Sequence, residues 1–314
     1  MLRLAPLILA GLFTLTPWAS PAIALALGVI LALLVGNPDP ARTGTIARVL
    51  LQTAVVGLGF GMPVRVVLSA GATGLGYTAV GLAAAVSLGL LLGRWLRIER
   101  RTSLLITAGT SICGASAIAA VGPAIGATGE AMSVSLATIF VLNAVALYLF
   151  PALGQLFDLT QHQFAVWAAL AIHDTSSVVG AAASFGPAAL GEATVLKLAR
   201  ALWIVPLTIG AAALVRRPPE GDGPARRRPA IPWFVGAFVL AALSRSLLPA
   251  SAAPALDTLA RGARSALALT LFLIGLGLTR TTLASVGLRP MLQGVLLWAA
   301  LGSLTLAAVV RWVT

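Results

Sequence analysis

The chain has 314 residues, 59% of them hydrophobic and only 10% charged, with a formal net charge of +12 and a mean hydropathy of +1.00. Soluble domains carry about 25% charged residues, so this composition excludes a soluble domain and describes a polytopic membrane protein. The surplus arginines lie in short loops, which reads as membrane orientation and not as nucleic-acid binding.

Apolar windows of membrane length predict helices near 4–17, 20–36, 45–61, 72–93, 130–150, 190–214, 232–248, 262–279 and 290–312. The first of these follows Met1-Leu-Arg and precedes Trp18-Ala-Ser-Pro-Ala-Ile-Ala24, which has the outline of a signal peptide. The next apolar segment follows at once, so the expectation is a retained first helix with a cytoplasmic N-terminus. Segments 103–126 and 163–186 are also long enough to span, but each is interrupted by polar residues, which gives about 9–11 membrane segments. Pro38, Pro40, Pro63, Pro151, Pro187, Pro218 and Pro219 are expected at helix ends. The hydrophilic stretch 215–230, with its core Arg216–Arg228, reads as a basic cytoplasmic loop. The whole chain, 1–314, reads as one transmembrane domain, with a first half 1–157 and a second half 158–314.

Arginines orient the chain. Arg42 and Arg48, then Arg94, Arg97, Arg100 and Arg101, then the 216–228 cluster, and finally Arg280 and Arg289 are expected on the cytoplasmic side. Residues 151–164 hold Asp158 and no Lys or Arg, and so are expected outside. Full crossings at 103–126 and 163–186 would bring that loop inside, whereas two re-entrant hairpins leave it outside. Hairpins are therefore the expectation.

The interruptions carry the chemistry. In the first, Gly109 and Gly114 bracket Thr110, Ser111, Ile112 and Cys113, and Ser116 follows. Small residues let a helix stop and restart, and a restarting helix presents free N–H groups to an anion. In the second, the otherwise apolar stretch Leu170-Ala-Ile-His-Asp-Thr-Ser-Ser-Val-Val-Gly-Ala-Ala182 encloses His173, Asp174, Thr175, Ser176 and Ser177. Asp174 is placed to cap the helix that follows, and an adjacent histidine and carboxylate can carry a proton. Lys197 and Arg200 lie one helical turn apart inside the next span. Cys113 is the only cysteine and His162 the only other histidine, so no metal-ligand set is complete and no cofactor is expected. Asn143 and Gln293 read as interhelical hydrogen-bonding residues. Trp18, Trp233 and Trp312 read as interface anchors.

Short echoes suggest an inverted repeat: Gly122-Pro-Ala with Gly186-Pro-Ala, and Val56-Gly-Leu-Gly-Phe60 with Ile274-Gly-Leu-Gly-Leu278. Gly109-Thr-Ser-Ile-Cys-Gly-Ala-Ser-Ala117, His173-Asp174 before Val178-Val-Gly-Ala-Ala182, Lys197-Leu-Ala-Arg200 and Ile231-Pro-Trp-Phe234 together resemble the YeiH-type sulfate exporter family of bacterial membrane proteins. The resemblance covers nearly the whole chain, with one departure: the family typically has Glu after the histidine, where this chain has Asp174. It implies an inner-membrane secondary transporter.

The resulting expectation is an all-α, inverted-repeat carrier of a small anion such as sulfate, another sulfur oxyanion or a sulfonate. Thr110, Ser111, Cys113, Gly114, Ser116, Thr175, Ser176, Ser177, Lys197 and Arg200 would hold the substrate, and His173 and Asp174 would couple movement to protons. Its partners would be the anion and the lipid bilayer, with a second copy of the chain possible through homodimerisation. Two alternatives stand beside it: an anion channel using the same breaks as a pore lining, and an intramembrane enzyme using Cys113 with His173.

Overall fold

A computed structural model describes residues 5–16, 18–215, 233–280, 284 and 286–313. The basic loop 216–228 and Ile231-Pro232 lie outside the described residues. Regular structure among the described residues is helical. The first helices are α1 (Ala5–Phe13), α2 (Pro21–Leu34), α3 (Pro40–Gly59) and α4 (Val64–Trp95). The interrupted segments give α5 (Arg100–Ser111) with α6 (Ala115–Ala124), and α8 (Gln161–Ala171) with α9 (Thr175–Phe185), on either side of α7 (Gly129–Leu156). Then come α10 (Pro187–Ala201), α11 (Ile204–Leu214), α12 (Trp233–Leu247), α13 (Ala253–Leu276) and α14 (Leu288–Trp312). Five stretches are long and apolar enough to cross a membrane: Val64–Trp95, Gly129–Leu156, Pro187–Leu214, Ala250–Leu276 and Leu288–Trp312.

Local chemistry sets the helix starts. Ser20, Asp39, Glu99 and Thr128 each accept a hydrogen bond from a first-turn amide of the helix that follows. Thr160 and Gln163 form a reciprocal capping box at α8. Pro40 and Pro187 open their helices, where a missing N–H costs nothing. Pro151 departs from the expectation. It lies inside α7, which runs on to Leu156. Neighbouring helices in a membrane bundle can accommodate the one intrahelical bond that proline forfeits. The expected loop 151–164 thus shrinks to residues 157–160.

Both interrupted segments are hairpins. A methyl group on Gly109 would lie 3.1 Å from Ile118 Cδ1, although nine residues of straight helix would separate them by about 13 Å. α7 then begins at the same end as α5 and runs beside it in the same direction. Ser135 Oγ donates to Thr102 O (3.4 Å) near the start of α5, and Ile139 sits against Gly109 and Gly114 near its end. A full crossing would have reversed that register. In the second hairpin, Phe164 of α8 stacks on Phe185 of α9 at 3.9 Å. Gln161 Oε1 accepts from Ala188 N (2.9 Å) and Ala189 N (3.2 Å), which closes the root of this hairpin onto α10.

The helices pack in two groups. In one, α13 lies against α2 and α3, and α12 against α3. The approach is closest where Gly28 faces Gly275: a methyl on Gly28 would lie 2.2 Å from Phe272 O. In the other group, α4, α7, α10–α11 and α14 surround the two hairpins. Trp167 of α8 is buried there, stacked on Phe150 at 4.3 Å, with its Nε1 donating to Gly302 O at 2.9 Å. Such close contacts and hydrogen bonds hold helices together in lipid, where water expulsion between them contributes little.

Arg94, Arg97, Arg100, Arg101, Arg280, Arg289 and the first half of α3, with Arg42 and Arg48, share one end of the bundle. Three contacts establish this: Arg100 Nη2 donates to Leu214 O (2.9 Å), Arg280 Nε to Leu33 O (3.1 Å), and Gln293 Nε2 to Ser103 Oγ (2.9 Å). The α7–α8 turn lies at the other end, where Gln163 Nε2 donates to Val313 O at 2.8 Å.

Candidate functional site at the hairpin tips

Four half-helix ends meet inside the second group. α5 and α8 arrive by their C-termini and present unpaired carbonyls, whereas α6 and α9 depart by their N-termini and present unpaired amides. The sequence supplies a matching charge to each kind of end.

Arg200 serves both C-termini. Its Nε donates to Ser111 O at 2.6 Å and its Nη2 to Thr110 O at 3.4 Å, on the last turn of α5. Its Nη1 donates to Ala169 O at 3.0 Å and to Leu170 O, on the last turn of α8. Lys197 Nζ adds Ile172 O at 2.6 Å and Ala169 O at 3.4 Å. Both side chains are buried. A planar guanidinium can serve two helix ends at once, and an ammonium suits one. Favourable interaction with the negative ends of two helix dipoles offsets the desolvation of these cations.

Asp174 serves the N-termini. Its Oδ2 accepts from Ser176 N (3.2 Å), from Ser177 N (3.4 Å) and from the Ser176 hydroxyl. α6 begins at Gly114 with no side-chain cap of its own. Gly114 has φ +61° and ψ −120°, a conformation open to glycine, and a methyl there would lie 3.4 Å from Asp174 Cβ. The two tips therefore touch, and the aspartate stands beside the positive ends of both α6 and α9.

Around this junction several buried polar atoms have no partner: both ring nitrogens of His173, Nδ2 of Asn143 and Oγ1 of Thr110. Asn143 belongs here because its Oδ1 accepts from His173 N at 3.2 Å, which ties the middle of α7 to the second tip. Ser111 Oγ is satisfied by Thr107 O at 2.6 Å. Cys113 is buried at the first tip as a free thiol. Thr175, Ser176 and Ser177 form the buried first turn of α9, while Ser116 is exposed on α6. His162 lies apart at the root of the second hairpin, where its Nδ1 is 2.7 Å from Glu192 Oε1.

The structure brings the two tips and the two cations to one junction, with Ser116 exposed beside it, but Lys197 and Arg200, expected to hold the substrate, donate to backbone carbonyls. It also adds Asn143, whose only sequence signal is an amide in the middle of an apolar span. Buried polar atoms without partners mark places for water or a ligand. The junction thus gathers two cations held on carbonyls, one capping carboxylate and unpartnered polar atoms of His173, Asn143 and Thr110.

Re-entrant hairpins meeting inside a bundle of membrane-crossing helices define the class: an all-α, multi-pass membrane protein with a transporter-like interior. More particularly, the chain belongs to the UPF0324, or YeiH-type, family, and its residues 3–294 match the family model described as Conserved hypothetical protein 698. It is 48% identical to a UPF0324 membrane protein of Bdellovibrio bacteriovorus, over 97% of this chain and 94% of the relative. A UPF0324 membrane protein of Bacteroides thetaiotaomicron is 44% identical over 95% of this chain and 88% of its own length. One from Geobacter sulfurreducens is 44% identical over 93% and 92%. No solved structure matches the chain.

Proposed function

We propose that the protein is a secondary active transporter of a small anion, of the sulfur-oxyanion or sulfonate kind, in the bacterial inner membrane. The observation that supports this reading best is the tip junction, where Gly114 meets Asp174 beside the unpartnered buried atoms of His173, Asn143 and Thr110. The anion sits between Thr110–Ser116 and Asp174–Ser177. Lys197 and Arg200 bias the local potential while holding the half-helices in place. His173 and Asp174 exchange protons as the anion enters and leaves, which couples transport to pH. The arginine-rich end faces the cytoplasm. Alternating access moves the hairpin group against α2, α3, α12 and α13, as in carriers built from inverted repeats.

The test is thermal unfolding of the purified protein against sulfate, sulfite, thiosulfate, sulfonates, carboxylates and halides at two pH values. A ligand at 100 times its Kd stabilises the native state by about 2.7 kcal/mol. One anion should raise the unfolding temperature in a pH-dependent way. Asp174→Asn should remove the pH dependence, and Thr110→Val, which deletes an unpartnered hydroxyl, should weaken binding in a folded protein. Failure of every anion to stabilise, together with no counterflow in proteoliposomes, would sink the carrier reading. Anion flux that neither saturates nor shows counterflow would replace it with a channel.

A further inference from the structure

At the end of the bundle remote from Arg100, a cavity of about 370 Å³ opens between the two helix groups. One wall is the second arm of the second hairpin, with Val179, Gly180 and Ala183; the opposite wall is α13, with Arg264 and Ser265. Thr14, Thr16 and Ser20 close the side. Arg264 is exposed, and it has no hydrogen bond or ion pair among the described residues. The cavity lining contains no carboxylate. Arg261, one turn earlier on α13, donates to Thr258 Oγ1 at 2.8 Å and is not part of the lining, which leaves Arg264 as its one charged side chain. An arginine without an ion-pair partner on a membrane-crossing helix normally faces a cavity, and here the cavity is present.

The lining continues into an apolar cluster. Next to Gly180 and one turn along α13 from Leu267, Leu25 of α2, Leu147 of α7 and Leu271 of α13 pack together. A methyl on Gly180 would lie 2.5 Å from Leu147 Cδ1 and 2.8 Å from Leu271 Cδ1. Gly180 is six residues along α9 from Asp174, or about 9 Å of helix. A single cation in a cavity that continues into this leucine cluster has a simple physical consequence. A cleft lined by one sign of charge concentrates ions of the other sign.

We propose that this cavity is an anion-collecting vestibule for the transport site, with Arg264 as its recruiting cation and Leu25, Leu147 and Leu271 as the seal that closes it from the tips. The proposal rests on the carrier reading for its biological role, but its test does not need transport. Ser265→Cys places a thiol in the vestibule, and the parent chain, whose only cysteine is the buried Cys113, serves as the blank. Labelling rates are measured with an anionic and a cationic methanethiosulfonate reagent of similar size. The anionic reagent should react faster, and Arg264→Gln should lower the anion-to-cation rate ratio by roughly tenfold. Arg264→Lys should restore most of it, and sulfate should slow labelling only where a cation is present at position 264. Equal rate ratios with and without the arginine would overturn the vestibule. If labelling behaves as expected but no anion shows counterflow, the carrier reading alone falls. If counterflow is present while labelling ignores Arg264, the vestibule alone falls.

Discussion

At the scale of single residues, Arg200 is the keystone of the interior. It bridges the last turns of two hairpins that are far apart in sequence, and four backbone carbonyls depend on it. Arg200→Ala should therefore lower stability by about 3 kcal/mol or more, since each buried acceptor left unpaired costs about 1–3 kcal/mol. Arg200→Lys should recover only part of the loss, because an ammonium reaches one helix end. Thermal unfolding in detergent reads both, and an Arg200→Ala protein as stable as the parent would refute the bridging role. Gly114→Ala should destabilise by about 1–3 kcal/mol, because a side chain at φ +61° and ψ −120° is strained and its methyl crowds Ile139. An unchanged unfolding temperature would mean that the tip can rearrange.

At the scale of elements, the hairpins decide which residues share a side of the membrane. Glu99, at the start of α5, and Glu130, at the start of α7, belong to one end; Asp158, between α7 and α8, belongs to the other. Single cysteines at 99 and 130 should label from the same side with an impermeant reagent, and a cysteine at 158 from the opposite side. Opposite-side labelling of 99 and 130 would make the first interruption a full crossing. The α2–α13 crossing gives a second prediction. Gly28→Ala forces a methyl into Phe272 O and should destabilise the protein by about 1–3 kcal/mol. Gly36→Ala is a useful contrast of the opposite kind: it meets no neighbour, so its effect reports only the positive φ of the turn.

For the whole molecule, the two helix groups meet where Leu25 and Leu271 contact Leu147. If transport requires these groups to move past each other, cysteines at 147 and 271 joined by a short cross-linker should arrest counterflow, and reduction of a cleavable linker should restore it. Full counterflow in cross-linked protein would place the moving boundary elsewhere. The sequence alone determined the membrane class, the two interruptions and the arginine-rich loops, because hydropathy, helix breaking and charge are properties of short runs. It also placed Asp174 at a helix start, since a cap acts on amides two and three residues away. The tertiary structure decided what Arg200 and Lys197 touch. Their partners are backbone carbonyls 25 to 90 residues distant, and a carbonyl has no side-chain signature to read. Only the fold could bring Asn143 to His173 and leave Arg264 facing a cavity, because both follow from the packing of helices remote in sequence.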